Sequence, residues 1–144
     1  MIRKVELNEV RRVVEFMQEF REVSKFVDVD VEKCIENYTA LMEIGNTHVY
    51  IMEEDGELQG AIGFIIHPDL TSGVLVAVET LWYMTPKHRG KGVELLKKYE
   101  EEAIKLGAKK LGMVFMQDSH PEQLKDFYIK NGYELQEQHY TKEV

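Results

Sequence analysis

The stretch TPKHRGKGVELLKK, residues 85–98, decides how the chain is read. It sets Gly90 and Gly92 among His88, Arg89 and Lys91, just where apolar residues begin to recur at helical spacing. A glycine-rich turn that feeds a helix lets backbone N–H groups approach an anion, and the helix start adds unsatisfied donors and the positive end of its dipole. An ordinary solvated basic turn has the same composition, so the stretch alone does not choose between a surface turn and a phosphate cradle. Two common phosphate motifs are excluded. The P-loop needs Gly-Lys-Ser/Thr after a four-residue spacer, whereas Val93 follows Gly92, and the dinucleotide fingerprint needs a third glycine where Leu95 stands.

The flanks carry more. Before the stretch, GVLVAVETLWYM (residues 73–84) is apolar on both faces with Glu79 as its one charge, which predicts a central strand buried on both sides. After it, Leu95, Leu96, Tyr99, Ala103 and Leu106 trace a helical face that ends at Gly107. Further upstream, IRKVEL (residues 2–7) is a short strand, Asn8 caps a helix carrying Val10, Val13, Val14, Met17 and Phe20, and Asp30 caps a second. The second helix shows Val31, Cys34, Ile35, Tyr38, Leu41 and Met42 on one stripe and stops near Gly45. Residues 47–68 then read as two strands around Asp55-Gly56, a dipeptide that favours a tight hairpin. Downstream, KKLGMVFMQ (residues 109–117) is a strand, Ser119 and Glu122 form a capping box around Pro121, a helix stops at Asn131-Gly132, and YELQEQHYTK (residues 133–142) forms a last strand.

The chain has 144 residues, the length of one domain, and the sequence predicts one domain over 1–144. Its net charge of −8 argues against nucleic acid as a partner, because phosphates would be repelled by most of the surface. No apolar run reaches membrane-spanning length and MIRKVELNEV lacks a signal core, which predicts a cytoplasmic protein with no membrane partner. The single cysteine, Cys34, falls on the apolar stripe of its helix and reads as a small core residue rather than a nucleophile. The five histidines are scattered with no pair at ligand spacing, so no metal is expected.

Taken together, YMTPKHRGKG, the helix LLKKYEEEAIKLGA and the later DFYIKNGY resemble the GNAT superfamily of N-acetyltransferases, whose signature Gln/Arg-x-x-Gly-x-Gly/Ala follows a central strand. The resemblance spans nearly the whole chain. The signature fits in two registers: starting at Arg89 it places Glu94 where a small residue belongs, and starting at Lys87 it places Gly90 and Gly92 correctly but begins with lysine. The resemblance implies an α/β (α+β mixed-sheet) fold of six to seven strands with four helices, in the order β-α-α-β-β-β-α-β-α-β. It also implies acetyl-CoA as cosubstrate, lying where the fourth strand and the strand after Gly107 splay apart. Trp82 and Met84 would pair with its pantetheine arm through their backbones, and Arg89, Gly90, Lys91 and Gly92 would hold the pyrophosphate.

The implied reaction is direct attack of a primary amine on the thioester in a ternary complex. An ammonium must lose a proton first, and Glu79, alone in an apolar strand, is either the base that takes it or a carboxylate that pairs with a nearby cation or reaches solvent at a strand irregularity. Tyr128 matches the family's general-acid position and would protonate the departing thiolate. The acceptor is a small-molecule amine or a protein amino group, and a homodimer is compatible with the family. The other function class considered is a GNAT-like fold that binds CoA as a regulatory or interaction module without efficient turnover.

Overall fold

The computed structural model describes residues 1–19, 28–116 and 120–144. β1 (Ile2–Lys4), β2 (Thr47–Glu54), β3 (Glu57–Pro68), β4 (Leu75–Met84) and β5 (Lys110–Gly112) form a five-stranded sheet in the order β1-β2-β3-β4-β5. β1 to β4 pair antiparallel, and β5 joins β4 in parallel. The turn between β2 and β3 is the expected one: Asp55 and Gly56 both have positive φ, at 51° and 79°, which suits the right-handed twist of the strands they join.

The helices are α1 (Val10–Met17), α2 (Val31–Ile44), α3 (Gly92–Lys105) and α4 (Pro121–Lys130). Asp30 caps α2 as predicted, accepting from Lys33 N at 3.1 Å, and Gly45 ends it in the left-handed conformation at φ 90°. The start of α1 differs from the reading of Asn8 as a cap. Asn8 lies inside a 3-10 turn over Leu7–Glu9, and Glu6 and Glu9 make the capping box. The Arg3 guanidinium fixes this arrangement by donating to both Glu9 oxygens, at 2.8 and 2.6 Å, and to Glu53 at 2.6 Å.

α1 and α2 cover one face of the sheet, where Val13, Tyr38 and Met42 pack on Val49, Ile51, Ala61 and Leu81. α3 covers the other, and there Tyr99 packs against Phe64 with ring centroids 5.0 Å apart. Tyr50, on the same face, is stacked on Phe64 and donates to Glu102 of α3 at 3.3 Å. Glu102 also takes Lys98 of the same helix at 2.7 Å, so this carboxylate is held in place where it meets the sheet. Four aromatic or aliphatic side chains of this face, Phe64, Ile62, Leu95 and Tyr99, are fully buried, each contributing on the order of 2 kcal/mol of transfer free energy.

The described residues divide into two compact units, Met1–Val114 and Phe115–Val144. The second holds α4, in which Tyr128 packs against Phe127 and Tyr133 at 6.2 and 5.8 Å. His120, in the left-handed region, is the residue that precedes α4, without a side-chain cap; Ser119 of the expected capping box lies outside the described residues. The expected strand over residues 133–142 does not form, which is why the sheet has five strands rather than six to seven. Its apolar residues are too sparse to bury a face: Leu135 is 76% exposed and Tyr140 94%.

The hydroxyl of buried Tyr99 lies 3.0 Å from both Ala77 O on β4 and Gly112 O on β5. Replacing Tyr99 by Phe leaves both carbonyls without that donor and is expected to lower stability by about 1–2 kcal/mol in urea denaturation, with an unchanged m-value; no loss would mean the hydroxyl does not hold these strands.

Candidate functional site

The site begins where β4 and β5 part. Their parallel register covers Val76↔Lys110, Ala77↔Leu111 and Val78↔Gly112 and then stops, while β4 continues to Met84. On its other side β4 stays paired with β3 throughout, but with one irregularity: Phe64 faces Glu79 and Gly63 faces Leu81, leaving Thr80 without a partner residue. Such a bulge adds one residue to a strand and re-aims the side chains around it. Thr80 and Leu81 both point toward the α1–α2 layer, since Tyr38 Oη reaches Thr80 Oγ1 and Leu81 packs with Val13. Glu79, opposite Phe64, belongs to the α3 side.

Glu79 is 8% exposed, and its Oε2 accepts a hydrogen bond from Val114 N at 2.9 Å. The carboxyl therefore spans the wedge between β4 and the chain leaving β5. Burial drives its pKa up to about 7, against the opposing pull of the Val114 N–H. It makes no ion pair among the described residues, so the cation-paired reading of Glu79 finds no support there. A carboxyl that titrates near neutrality is suited to proton transfer.

Past the wedge, one edge of β4 faces away from β3. Thr85 N donates to Gln59 O at 2.9 Å, which assigns the backbone groups of Thr85, and by alternation those of Tyr83, to the β3 side. Trp82 and Met84 consequently turn their N–H and C=O groups away from β3, toward the side on which β5 has ended. Gly60 opposite Met84 is required by packing, because a Cβ there would collide with the Met84 sulfur and lie 3.0 Å from Leu95 Cδ1.

From Met84 the chain enters a 3-10 turn, Pro86–Lys91, and α3 starts at Gly92. Thr85 organises the turn: its Oγ1 is 2.7 Å from His88 Nδ1 and its carbonyl accepts from His88 N at 2.9 Å. A Cβ on Gly92 would lie 3.3 Å from Trp82 Cζ2 and 3.4 Å from Met84 Cγ, so a larger residue there would press on β4 where α3 comes down on it. Glu94 is exposed and under no such constraint. Packing thus favours a small residue at 92, a glycine in both registers, and asks for none at 94.

Gly90 is different. It has ordinary φ and a Cβ there would meet nothing within 4 Å, so the protein itself gives no reason for glycine. α3 has no side-chain cap at its start, and the Gly92 N–H is taken by Arg89 O of the preceding 3-10 turn. Arg89 and Lys91 are exposed beside it, and the carboxyl of Glu54 is depressed first by its hydrogen bond from Gln59 and then by the charge of Lys91 across the turn. Open space over Gly90, the helix start and flanking cations fit a pyrophosphate.

Tyr128, the remaining residue singled out by sequence, is buried in the second unit between Phe127 and Tyr133. The described residues contain no group of three side chains suited to a metal ion and no helix long and apolar enough to cross a membrane. Sequence reasoning missed Tyr99, Tyr38 and Thr85. The two tyrosines fall on helical stripes, where an aromatic reads as core, and only the Thr85-to-His88 spacing after the strand was available as a signal.

The sequence profile described as the Acetyltransferase (GNAT) family matches residues 11–133. No curated protein sequence matches the chain. Among solved structures, a transcriptional regulator from Bacillus halodurans is similar, with 16% identity, a TM-score of 0.81, and coverage of 100% of this chain and 99% of that one. A ribosomal-protein-alanine N-acetyltransferase from Brucella melitensis biovar Abortus has 17% identity, a TM-score of 0.77, and coverage of 100% and 98%. Glucosamine-6-phosphate N-acetyltransferase from Arabidopsis thaliana has 17% identity, a TM-score of 0.75, and coverage of 99% and 97%. At such identities the structural likeness is one of fold, whereas the profile spans most of the sequence. The parted strands, the turn into α3 and the matched profile have one explanation: the chain belongs to the GNAT family of acetyltransferases.

Proposed function

We propose that this protein is an N-acetyltransferase that carries an acetyl group from acetyl-CoA to a primary amine, by direct attack in a ternary complex, working in the cytoplasm as one catalytic domain. The observation that carries the reading is the stretch of β4 beyond its pairing with β5, lying between a buried carboxyl at Glu79 and a cation-flanked helix start at Gly92. Acetyl-CoA supplies the activated acyl thioester. Trp82 and Met84 offer backbone donors and acceptors to an extended amide-bearing arm, in the manner of an added strand. Arg89, Gly90, Lys91 and Gly92 take the pyrophosphate.

Glu79 removes the proton that an ammonium must lose before nitrogen can attack. A strand N–H near Trp82 stabilises the oxyanion that develops on the thioester oxygen. The role of acid toward the leaving sulfur falls to Tyr128 on the family motif. The acceptor is a small-molecule amine or a protein amino group; the structures of similar fold include one named for each class.

Isothermal calorimetry tests the cofactor side directly. Acetyl-CoA is expected to bind at micromolar to sub-millimolar concentration, and Gly90→Val should weaken it about tenfold, or about 1.4 kcal/mol, without lowering the melting temperature. No heat at millimolar acetyl-CoA sinks the reading. Binding without turnover on any amine is instead what a regulatory CoA-binding module predicts.

Kinetics test the two proton-transfer roles. A base must be ionised, so kcat/KM should rise with pH through about 7, and Glu79→Gln should remove that limb and slow the reaction by about 10²-fold or more. Tyr128→Phe should lower kcat by about tenfold or more while leaving the affinity for acetyl-CoA within about twofold. A variant with wild-type rate and pH profile has no part in the mechanism.

A further inference from the structure

At the far edge of the sheet, β1 pairs with β2 only as far as Lys4↔Tyr50 and the bond from Val5 N to Val49 O at 2.9 Å. The chain then leaves the sheet for the 3-10 turn Leu7–Glu9, whereas β2 reaches back to Thr47. Ile66 N donates to Asn46 O, so the backbone groups of Asn46 face β3 and, by alternation, those of Thr47 face the side that β1 has left. A cavity of about 190 Å³ fills this corner, lined by Lys4 to Leu7, by Met42 and Gly45 at the end of α2, and by Thr47 and His48. Its inner residues are buried and its outer ones charged. Thr47 and His48 are 3% and 7% exposed, while Lys4 and Glu6 are exposed and bring one charge of each sign. The Glu6 carboxylate accepts from Glu9 N in the capping box, which occupies one of its roughly four lone-pair sites. Among the described residues Lys4 has no ion-pair partner.

His48 is the buried titratable group of the corner. One ring nitrogen is held by the Gly45 carbonyl, and the other, Nε2, is buried without a hydrogen-bond partner among the described residues. Burial and then the charge of Lys4 push its pKa down, against the Gly45 bond and the charge of Glu102. The ring is stacked on Phe64 with centroids 5.2 Å apart, so it is a fixed reporter of charge placed beside Lys4.

We propose that this corner is a second ligand site, which binds a free aliphatic α-amino acid: Lys4 and the Thr47 N–H take its carboxylate, Glu6 and the carbonyl end of α2 take its ammonium, and Leu7 and Met42 border its side chain. The site is separated from β4 by β3 and does not depend on the acetyl-transfer reading. Charge selects the class. A simple anion would satisfy Lys4 but meet Glu6 and the negative pole of α2, and a simple cation would meet Lys4, whereas a zwitterion pairs with both sides. Size selects within it. At the ~30 Å³ that a water takes in the liquid, the volume holds about six waters, or a solute of about six to nine heavy atoms, and a nucleotide or an aromatic amino acid exceeds it. The backbone of Thr47 supplies direction, because its N–H and C=O lie in a fixed row with the strand.

Amide-resolved NMR titration of the full chain with glycine, L-alanine, L-valine and L-leucine tests the site without acetyl-CoA. At least one of them should shift the amides of Gly45, Thr47 and His48 saturably, with a Kd in the millimolar range or below. 3-Methylbutanoate and 2-methylpropylamine, which are valine without its ammonium and without its carboxylate, should bind at least about tenfold more weakly than valine. Lys4→Met keeps the methylene stem and Glu6→Gln keeps an acceptor for Glu9 N, and each should weaken the amino acid severalfold. The His48 imidazole resonance gives an independent readout: a carboxylate beside Lys4 offsets its charge, so bound ligand should raise the pKa of His48, and Lys4→Met should abolish that rise. No saturable shift with any of the four amino acids, equal affinity for 3-methylbutanoate, or wild-type affinity in both variants overturns the site. Shifts confined to β4 and the start of α3 overturn it too, since the amino acid would then be bound as an acetyl acceptor.

Discussion

Everything at the site follows from the end of pairing between β4 and β5 after Val78 and Gly112. A strand that loses its neighbour in the middle of a sheet leaves a row of amides that need partners. Here the break is held open rather than frayed. The Tyr99 hydroxyl reaches carbonyls on both strands just before the break, and the Glu79 carboxyl reaches Val114 N just after it. Between them these two side chains define a wedge with a buried floor, and that burial raises the pKa of Glu79.

The two faces of the sheet are used differently. On the α3 face, aromatic packing and the tyrosine-to-glutamate tie from Tyr50 to Glu102 press the helix against the sheet, and Gly92 and Gly60 let it come close to Trp82, Met84 and Leu95. This close seat brings the start of α3 to the end of β4. On the α1–α2 face the bulge interrupts an otherwise continuous apolar floor and turns Thr80 outward under Tyr38. One inserted residue therefore changes which layer the side chains of β4 face beyond Glu79.

Much of this fold was legible in the sequence because its signals are local. Asp55-Gly56 can hardly avoid a tight hairpin, Asp30 and Gly45 bracket α2 as a cap and a left-handed stop should, and Glu79 stood out as the one charge in an apolar strand. The signature's two registers could not be separated by spacing, and both keep the glycine at 92 that sits against Trp82 and Met84. Other features depend on long-range register. Nothing in VETLW marks Thr80 as unpaired, since a bulge is a mismatch with β3 rather than a property of β4. Tyr38 and Tyr99 looked like core because helical spacing reports which face a residue is on and not what its hydroxyl meets. Asn8 lost the capping role to Glu6 and Glu9, whose arrangement is fixed by Arg3 of the preceding strand, β1. The final strand was over-read from alternation without enough apolar residues to bury.

The central claim is that the β4 edge beyond Val78 receives an extended ligand through its backbone. Residue-resolved hydrogen exchange of the amides of Trp82 and Met84, with and without saturating acetyl-CoA, tests it most directly. Both amides should slow by about tenfold or more on binding, while Tyr83, already committed to the β3 side, should change little. Unchanged exchange at Trp82 and Met84 under saturation would contradict the claim, because a ligand bound elsewhere would leave that edge as open as before.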